Sequence, residues 1–404
     1  MNTFIDELKW RGLIYQKTPG IEKVFERGTT LYLGFDAQGD SFHIGHLLWI
    51  TVLKRALLYK NKIIVLTGGG TSMVGDPSGK EKERPILPKE TIQANKAKLQ
   101  AQLAKFLEVD EAGVRMVDNA EWLEKVTLID FLREAGKYIS INSMLDKDSV
   151  KNRLGREDGL SFTEFTYQLL QAYDFMELYQ KYKCEVQVGG SDQWGNMIQG
   201  VELIRKKLGK EAHTLSFPLI VNPKTGKKFG KTEEGIAIWL DPAKTHPFAF
   251  YQFLVNTDDE LAPTLIKYYS FKTKEEIDGV IAQWEKEKEK RFLQRQLAYE
   301  LTSMVHGHDI AEECKKVAQL LFESGLGMIQ KEDLDFVAKA LPYTSVKNKN
   351  DFNLEQSLVD LALVKSKGDA RRLMEQNGAH SEFLFEKYFL IKKGKREYGV
   401  VEVK

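Results

Sequence analysis

Two histidines, His43 and His46, stand three residues apart with Gly45 between them, and lysines cluster far downstream around Gly226 and Gly230. Imidazole and ammonium groups donate hydrogen bonds to phosphate oxygens, while glycine gives the backbone freedom to approach or close over a ligand. Each pattern alone has an ordinary explanation: helix packing for the histidines and a solvated loop for the lysines. Together they indicate one site that holds a nucleoside triphosphate from two sides.

Two other phosphate or metal chemistries fit the sequence less well. The histidines share a helix face, but no third ligand stands nearby in the sequence, so no metal site is predicted. The glycine-rich segment from Gly68 to Lys80 is followed by further basic residues. It is not a Walker P-loop, because no glycine stands four residues before a Gly-Lys-Ser/Thr triplet. An ordinary kinase or GTPase is therefore disfavoured.

The elements that must position these residues follow from hydrophobic periodicity. An apolar run over 31–35, a helical pattern over 44–59 and an apolar run over 63–66 predict strand, helix and strand. Such a unit is parallel and right-handed, and ligands bind beyond the carboxyl ends of its strands. A further strand over 185–188 brings Gly190 and Asp192 to the same edge. The predicted fold class is α/β, with a Rossmann-type parallel sheet.

Composition suggests the domain organisation. The chain has 404 residues, is 42% hydrophobic and carries a net charge of +1. We expect a catalytic domain at 1–225, a lysine-rich loop with a helical domain at 226–340, a linker at 341–355 and a small α+β domain at 356–404. Residues 365–404 hold 10 basic and 6 acidic side chains. Such a surplus attracts phosphates, although a solvated face is the commoner explanation.

Cellular context is read from cysteines and from hydropathy. Cys184 and Cys314 match no ligand spacing, so we expect two buried thiols and no disulfide. The chain has no apolar run long enough for a membrane helix. Its first residues lack the basic segment followed by an apolar segment that is typical of a signal peptide. A cytoplasmic location is the default expectation, with no membrane partner.

The motifs resemble those of the bacterial-type tyrosyl-tRNA synthetases, a family of class I aminoacyl-tRNA synthetases. The histidine and lysine patterns match, and four further segments match in order: 32–36, 75–80, 167–175 and 187–196. The resemblance extends over residues 30–310 and, more weakly, over 355–404. It implies a tyrosine–tRNA ligase with a Rossmann-type catalytic domain, a helical anticodon-proximal domain and a small RNA-binding domain.

The resemblance also implies a pocket for L-tyrosine. The phenol would lie against Tyr32 and Asp174, and the ammonium group against Asp76, Tyr167 and Gln171. A Tyr, Gln and Asp stripe on a helix otherwise rich in Phe, Leu and Met supports binding over packing. The residues assigned to tyrosine are Tyr32, Asp76, Tyr167, Gln171, Asp174, Gln187 and Gln193, the last two near the carboxylate.

A second set is implied for ATP. Its members are Gly34, Asp36, Gln38, His43, Gly45, His46, Gly190, Asp192, Phe229 and Lys231. The tyrosine carboxylate would attack the α-phosphate in line, so the protein positions reactants and stabilises charge without a general base. The residues assigned to that stabilisation are His43, His46, Lys80, Arg84, Lys228, Lys231 and Thr232. Mg²⁺ would accompany ATP, held mainly by phosphates and water.

The chain departs from the family pattern beside the ATP set. Leu33 stands where a small residue is usual, Ala37 and Gln38 replace proline and threonine, and Trp49 replaces a small residue. Gln38 has the reach to take the place of threonine at a phosphate. We therefore expect any peculiarity of this chain in its handling of ATP.

The expected macromolecular partners are tRNA(Tyr) and a second copy of the chain. The tRNA contacts are assigned to Lys365, Lys367, Arg371 and Arg372, on a basic helix of the small terminal domain. A homodimer is implied by the resemblance. Two alternatives remain: a tryptophanyl enzyme, against which Tyr32 and Asp174 speak, and a paralogue that only binds RNA, which has no need of a phenol pocket.

Overall fold

The structure, a computed structural model, describes residues 3–76, 78, 86–109, 113–147, 150–151, 154, 160–222, 226, 228–231, 235–324, 328–394 and 397–404. Of the predicted site residues, Lys80, Arg84 and Thr232 lie outside the described residues. The chain forms two compact units. The first unit comprises Met1–Ile238 and Pro263–Gly279, and the second comprises Trp239–Ala262 and Val280–Lys404.

A six-stranded sheet forms the centre of the first unit. Its strands are β1 (Gln16–Lys17), β2 (Thr30–Asp36), β3 (Lys62–Gly68), β4 (Val114–Asp118), β5 (Cys184–Gly190) and β6 (His213–Phe217). The order is β1-β6-β5-β2-β3-β4, and every pairing is parallel except that of β1 with β6. The chain runs outward from β2 through β3 to β4 on one side, and through β5 and β6 on the other. The predicted parallel α/β fold is confirmed, and its switch point, where ligands bind in such sheets, lies between β2 and β5.

Helices cover this sheet. They are α1 (Phe4–Arg11), α2 (Ile21–Glu26), α3 (Ile44–Leu58), α4 (Lys89–Phe106), α5 (Ala120–Leu123), α6 (Leu128–Glu134), α7 (Ile141–Leu145), α8 (Phe162–Tyr182) and α9 (Trp194–Leu208). Short 3₁₀ turns cover Thr71–Met73, Gly136–Tyr138 and Ser191–Gln193. A capping box between Ser161 and Glu164 begins α8. Buried Phe175 and Leu178 of α8 belong to the same apolar cluster as Tyr32 and Ile64 of the sheet, so α8 holds its polar stripe at the sheet edge.

The next helices of the chain are α10 (Pro247–Val255), α11 (Ala262–Tyr269), α12 (Lys274–Lys286), α13 (Phe292–His306), α14 (His308–Gln319) and α15 (Lys331–Val337), with a π-helical turn at Leu320–Ser324 and a 3₁₀ turn at Lys288–Lys290. The terminal part contains β7 (Tyr343–Val346), α16 (Leu354–Asp360), α17 (Lys367–Glu375), β8 (Ala379–Leu384), β9 (Tyr388–Lys393) and β10 (Glu397–Val403), with a 3₁₀ turn at Lys349–Asp351. Among the described residues, no helix is long and apolar enough to cross a membrane.

The terminal sheet has the order β7-β10-β9-β8. Strand β7 lies in the segment expected to be a linker, yet it pairs in parallel with β10 along its whole length. Its sequence, Tyr-Thr-Ser-Val, is rich in residues that favour strands, and Pro342 precedes it, where proline costs no ladder hydrogen bond. Part of the expected linker is therefore an edge strand of the small α+β part.

Candidate active site

The carboxyl ends of β2, β3 and β4 meet in a closely packed turn. The Gly69 N–H donates to Asp118 and the Gly70 N–H to Asn119, at 3.1 and 2.8 Å. A Cβ added to Gly68 would lie 2.3 Å from an Asp36 carboxylate oxygen, and one on Gly69 would lie 2.3 Å from an Asp118 oxygen. These glycines therefore let polar side chains of three neighbouring strands crowd one edge of the sheet.

Asp174, the predicted phenol acceptor, is buried and held by two donors. Trp122 Nε1 donates to one carboxylate oxygen at 2.7 Å, and Asn119 Nδ2 donates to the other at 2.9 Å. Burial raises the pKa of the Asp174 carboxyl to about 7, and the two hydrogen bonds act in the opposite direction. The oriented carboxylate keeps lone pairs for one more donor.

Tyr32 lies beside this carboxylate on the central strand β2. Its side chain is 1% exposed, and its hydroxyl has no hydrogen-bond partner among the described residues. Burial raises the pKa of Tyr32, and the negative charge of Asp174 raises it further. A buried hydroxyl without a partner costs free energy, so this one is matched to a ligand that supplies the partner.

A chain of hydrogen bonds joins the predicted phenol end of the pocket to the predicted ammonium end. Asn119, which holds Asp174, also donates to Thr71 Oγ1 at 2.9 Å. Thr71 donates to Asp36 at 2.9 Å, and the Tyr167 hydroxyl donates to the other oxygen of Asp36 at 3.0 Å. Asp36 was expected at ATP; the structure places its carboxylate on Tyr167, where the two predicted sets meet.

Asp76 and its neighbours complete the acceptor set. Gln193 Nε2 donates to Asp76 at 2.7 Å, and the Ser78 N–H donates to its other oxygen at 2.9 Å. Burial raises the pKa of Asp76 to about 6, with a contribution from the nearby charge of Asp36. Asn196 Nδ2 donates to Gln171 Oε1 at 3.0 Å. Carboxylates and amide oxygens thus gather where a positive group would be neutralised.

Gln187 of β5 supplies another buried polar group. Its side chain is 3% exposed, and its Oε1 has no hydrogen-bond partner among the described residues. It pairs in register with Tyr32 across the β2 and β5 pairing. This is the switch point of the sheet. Gln187 and Tyr32 therefore place two buried polar atoms side by side where a ligand would bind.

The histidine pair begins α3. The N-cap is not a usual capping residue such as the nearby Asp40 or Ser41 but His43, whose Nδ1 accepts from the Gly45 N–H at 3.1 Å. His46 Nδ1 accepts from the His43 N–H at 3.2 Å, and the two rings are 3.9 Å apart. Both rings accept through Nδ1, which assigns the ring proton of each to Nε2.

The lysine segment lies against the histidine segment. A Cβ on Gly45 would be 3.8 Å from the Phe229 carbonyl oxygen. Lys228 Nζ lies 3.4 Å from Asp192 Oδ2, with the lysine side chain 55% exposed, so this ion pair is weak and screened. Lys231 is exposed. The two motifs that the sequence separates therefore share one edge of the sheet.

Two departures from the family pattern lie at this edge as well. Gln38 Nε2 donates to the Ser72 carbonyl at 2.7 Å, so Gln38 ties the first loop to the second. Trp49 stacks on Phe217 with ring centres 5.5 Å apart, and a Cβ on Gly190 would meet the indole at 3.5 Å. The indole therefore fills space beside Gly190, a predicted ATP residue. The remaining member of that set, Gly34, is exposed on β2.

The predicted tRNA contacts are all exposed, on α17 or just before it. Arg371 pairs with Glu355 at 3.0 Å and Arg372 with Asp369 at 2.8 Å. Both arginines therefore have acidic neighbours that a phosphate would have to displace, whereas Lys365 and Lys367 are well placed on the surface to meet one.

Sequence reasoning missed the residues that orient the predicted ones. They are Thr71, Asn119, Trp122 and Asn196, which contact Asp36, Asp174 and Gln171. A signal existed for Asn119, because the apolar run of β4 ends in Asp118 and Asn119 just as β2 ends in Asp36. The sequence held no such signal for Trp122, because only the three-dimensional packing brings its indole N–H to Asp174.

Comparison with known proteins identifies the class that this fold and site define. The family model described as tRNA synthetases class I (W and Y) matches residues 25–323. The chain belongs to this family.

The tyrosine–tRNA ligase of Roseiflexus castenholzii is 42% identical over 387 residues, covering 94% of this chain and 91% of that protein. That of Anaeromyxobacter dehalogenans strain 2CP-1 is 41% identical over the full length of both chains. Among solved structures, a C-terminally truncated Aspergillus nidulans mitochondrial tyrosyl-tRNA synthetase superposes with a TM-score of 0.72 at 32% identity, covering 80% of this chain and 95% of that one.

Proposed function

We infer that this chain is a tyrosine–tRNA ligase, which joins L-tyrosine to ATP as tyrosyl-adenylate with release of pyrophosphate and then transfers tyrosine to the terminal ribose of tRNA(Tyr). The observation that carries the choice of amino acid is the buried Tyr32 hydroxyl, without a partner among the described residues, beside a carboxylate fixed by Asn119 and Trp122. A phenol satisfies both groups: it donates to Asp174 and accepts from Tyr32. An indole ring has a donor but no acceptor, so tryptophan would leave Tyr32 unpaired.

The ammonium group of the substrate would lie among Asp76, Tyr167 and Gln171. Asp36 supports this assignment, since it accepts from the Tyr167 hydroxyl and adds a second negative charge near Asp76. The pKa of Asp76 is raised chiefly by burial and further by repulsion from the charge of Asp36, so an ammonium group bound here would favour the charged carboxylates. Binding the ammonium group would relieve this repulsion, so ionic attraction contributes to tyrosine affinity.

ATP would occupy the edge between the histidine and lysine segments. His43 and His46 would donate Nε2–H to phosphate oxygens, and Lys228 and Lys231 would neutralise charge on the departing pyrophosphate. Asp192 would accept from the ribose hydroxyls, exchanging its contact with Lys228 for the nucleotide. Lys80, Arg84 and Thr232, outside the described residues, keep their predicted roles. Mg²⁺ would enter with ATP and offset phosphate charge.

Trp49 is the residue through which ATP handling would differ in this chain. Its indole adjoins Gly190 and is held by the stack on Phe217. It would give the nucleotide an apolar wall where a small residue offers none.

The partner proposals extend beyond the pocket. We propose a homodimer, supported by large apolar side chains left exposed on α6, α7 and the start of α8, among them Leu128 at 72% and Phe162 at 80% exposure. tRNA would bind the exposed basic residues of the small terminal part, and we keep the domain organisation expected from the sequence, with β7 added to that part. A cytoplasmic location stays a prediction.

The deciding experiment is pyrophosphate exchange into ATP with tyrosine, tryptophan and phenylalanine supplied in turn. Exchange that requires tyrosine supports the inference. Exchange driven by tryptophan would instead indicate a tryptophanyl-tRNA synthetase. Absence of exchange with all three amino acids, in a protein that still binds tRNA, would support the alternative of a pure RNA-binding paralogue.

A further inference from the structure

The peptide groups on both sides of Ile44, in the middle of the histidine segment, are held from outside the helix. The Ile44 N–H donates to the Ile238 carbonyl at 2.9 Å, and the Ile238 N–H donates to the Gly230 carbonyl at 2.9 Å. The Ile44 carbonyl accepts from the Tyr269 hydroxyl at 2.8 Å. Three hydrogen bonds in series therefore connect the lysine segment, the histidine segment and the end of α11.

The contact between the two segments leaves no room for adjustment. A Cβ at Gly230 would lie 3.0 Å from the Ile44 side chain and 3.4 Å from the Gly45 nitrogen, and Gly230 has a positive φ of 107°. Only glycine meets both conditions without strain. The position of Ile44 therefore determines how the lysine segment lies against α3.

Tyr269 is itself rigidly placed. Its side chain is fully buried, and burial raises its pKa, so the hydroxyl remains a donor at any working pH. The next residue, Ser270, offers its carbonyl to Arg11 at 2.8 Å and to Arg55 at 2.5 Å. Arg55 belongs to α3, the same helix that begins at Ile44. The end of α11 is thus hydrogen-bonded to α3 at two places: Tyr269 contacts the start of α3, and the Ser270 carbonyl contacts Arg55 near the end of α3.

We propose that Tyr269 is a positioning residue for adenylate formation, which fixes the Ile44 peptide and so sets His43 and His46 against the lysine segment. The inference rests on the proposed function, because it concerns the step in which both segments stabilise the phosphate. The physical reason is that preorganised donors work only at the distance where charge develops, and a misplacement of about 1 Å is able to cost a hundredfold in rate. Tyr269 is fully buried on the Ile44 carbonyl, so it would act on the reaction through Ile44.

The chain offers a matched control in the neighbouring residue. The Tyr268 hydroxyl donates to the Gly12 carbonyl at 3.2 Å, and Tyr268 is 9% exposed. Tyr269→Phe and Tyr268→Phe each remove one buried hydroxyl from a backbone carbonyl, but only the first carbonyl belongs to the histidine segment. A general loss of stability would affect both variants alike.

The test measures single-turnover formation of tyrosyl-adenylate by the full-length protein, at a temperature where circular dichroism shows both variants folded. We expect Tyr269→Phe to lower the maximal rate about tenfold with KM for tyrosine within twofold of wild type, and Tyr268→Phe to leave both values within twofold. Transfer of tyrosine from preformed adenylate to tRNA should be unchanged in both.

Equal rates in the two variants would overturn the inference, as would a loss confined to KM for tyrosine. Failure of the wild-type protein to form tyrosyl-adenylate would count against the proposed function instead, so the two failures are distinguishable. If Tyr269→Phe is unfolded at every temperature tested, the same rate is compared between Ile238→Val and Ile238→Gly, which change the middle link of the hydrogen-bond series. Positioning through this series predicts a lower maximal rate for Ile238→Gly, whose backbone is freer, and a near-normal one for Ile238→Val; equal rates would again overturn it.

Discussion

Trp122 donates its indole N–H to the carboxylate of Asp174 at 2.7 Å, and both side chains are buried in the first unit. This bond fixes the rotamer of the carboxylate and favours its charged form. The proposed phenol acceptor is therefore oriented before any substrate arrives. Preorganised acceptors of this kind give discrimination as well as affinity, because an analogue without the hydroxyl leaves them unpaired.

Removing the Trp122 donor should weaken tyrosine binding. We expect Trp122→Phe to raise KM for tyrosine about tenfold, since a hydrogen bond to a charged group contributes about 1.5–3 kcal/mol, and to leave KM for ATP unchanged. Trp10→Phe is the matched control, because Trp10 Nε1 also donates to a carboxylate, that of Glu7, at 2.7 Å. Steady-state pyrophosphate exchange measures both, and an equal rise in the two variants would contradict the assignment.

Tyr32→Phe separates binding from stability. The hydroxyl has no partner among the described residues, so its removal should not lower the melting temperature, while KM for tyrosine should rise about fivefold for a lost bond of about 1 kcal/mol. Discrimination between tyrosine and phenylalanine should narrow. Thermal unfolding and competition exchange assays measure these effects; a melting temperature several degrees lower would show that the hydroxyl is already bonded in the free protein.

Tyrosine binding should depend on pH in a defined direction. The pKa of Asp174 is raised to about 7 and that of Asp76 to about 6, so both carboxyls take up protons as the pH falls through this range. In the proposed pocket tyrosine binds the charged forms, so KM for tyrosine should rise as pH falls from 8 to 5.5, by up to about tenfold per pH unit for each group. Asp174→Asn should remove the upper transition only, whereas a flat profile in the wild type would contradict the pocket.

The same raised pKa values predict an effect on folding stability. An acid whose pKa is higher in the folded state binds protons there first, so its contribution favours folding at low pH. This contribution should be lost as the pH rises from about 4 to about 7. Saturating tyrosine should reverse the trend by stabilising the charged carboxylates. Urea unfolding with and without tyrosine measures the difference.

The basic residues before and within α17 should serve tRNA and not adenylate formation. We expect Lys365→Glu with Lys367→Glu to lower charging of tRNA about tenfold while pyrophosphate exchange stays at the wild-type rate. The salt dependence of tRNA binding should become shallower, by about 0.7–0.9 in log–log slope for each lost phosphate contact. An unchanged slope would mean that these lysines are only a solvated surface.

The exposed apolar side chains of α6 to α8 should be covered in a dimer. Leu128→Glu with Phe162→Glu should shift the sedimentation coefficient from dimer to monomer at micromolar concentration, because buried charges at an apolar interface cost several kcal/mol. Ile86→Glu is a control, since Ile86 is equally exposed but lies away from these helices in the sequence. A wild-type protein that sediments as a monomer would rule out the dimer.

The sequence predicted the elements whose burial is nearly complete. The strands β2 and β3 are largely apolar runs, β5 alternates apolar with polar residues, and α3 is an apolar helix, so their positions followed from periodicity. The family pattern supplied the site residues on them. One feature that escaped prediction is local: His43 caps α3 through the nearby Gly45 N–H. The others depend on partners distant in sequence: the Trp122 bond to Asp174, and β7, a four-residue segment that is held as a strand by its pairing with β10.

The first unit is made of two stretches of chain, and this has a consequence for its synthesis. Arg11 and Arg55 are completed early, but the Ser270 carbonyl that receives both belongs to the second stretch. Until Gly279 has left the ribosome, Arg55 lacks its Ser270 acceptor, and Arg11 has Glu7 but not the backbone carbonyls of the second stretch. The enzyme would therefore stay unfinished around α3 through most of its translation, and no single cut after Ile238 would release a working catalytic fragment.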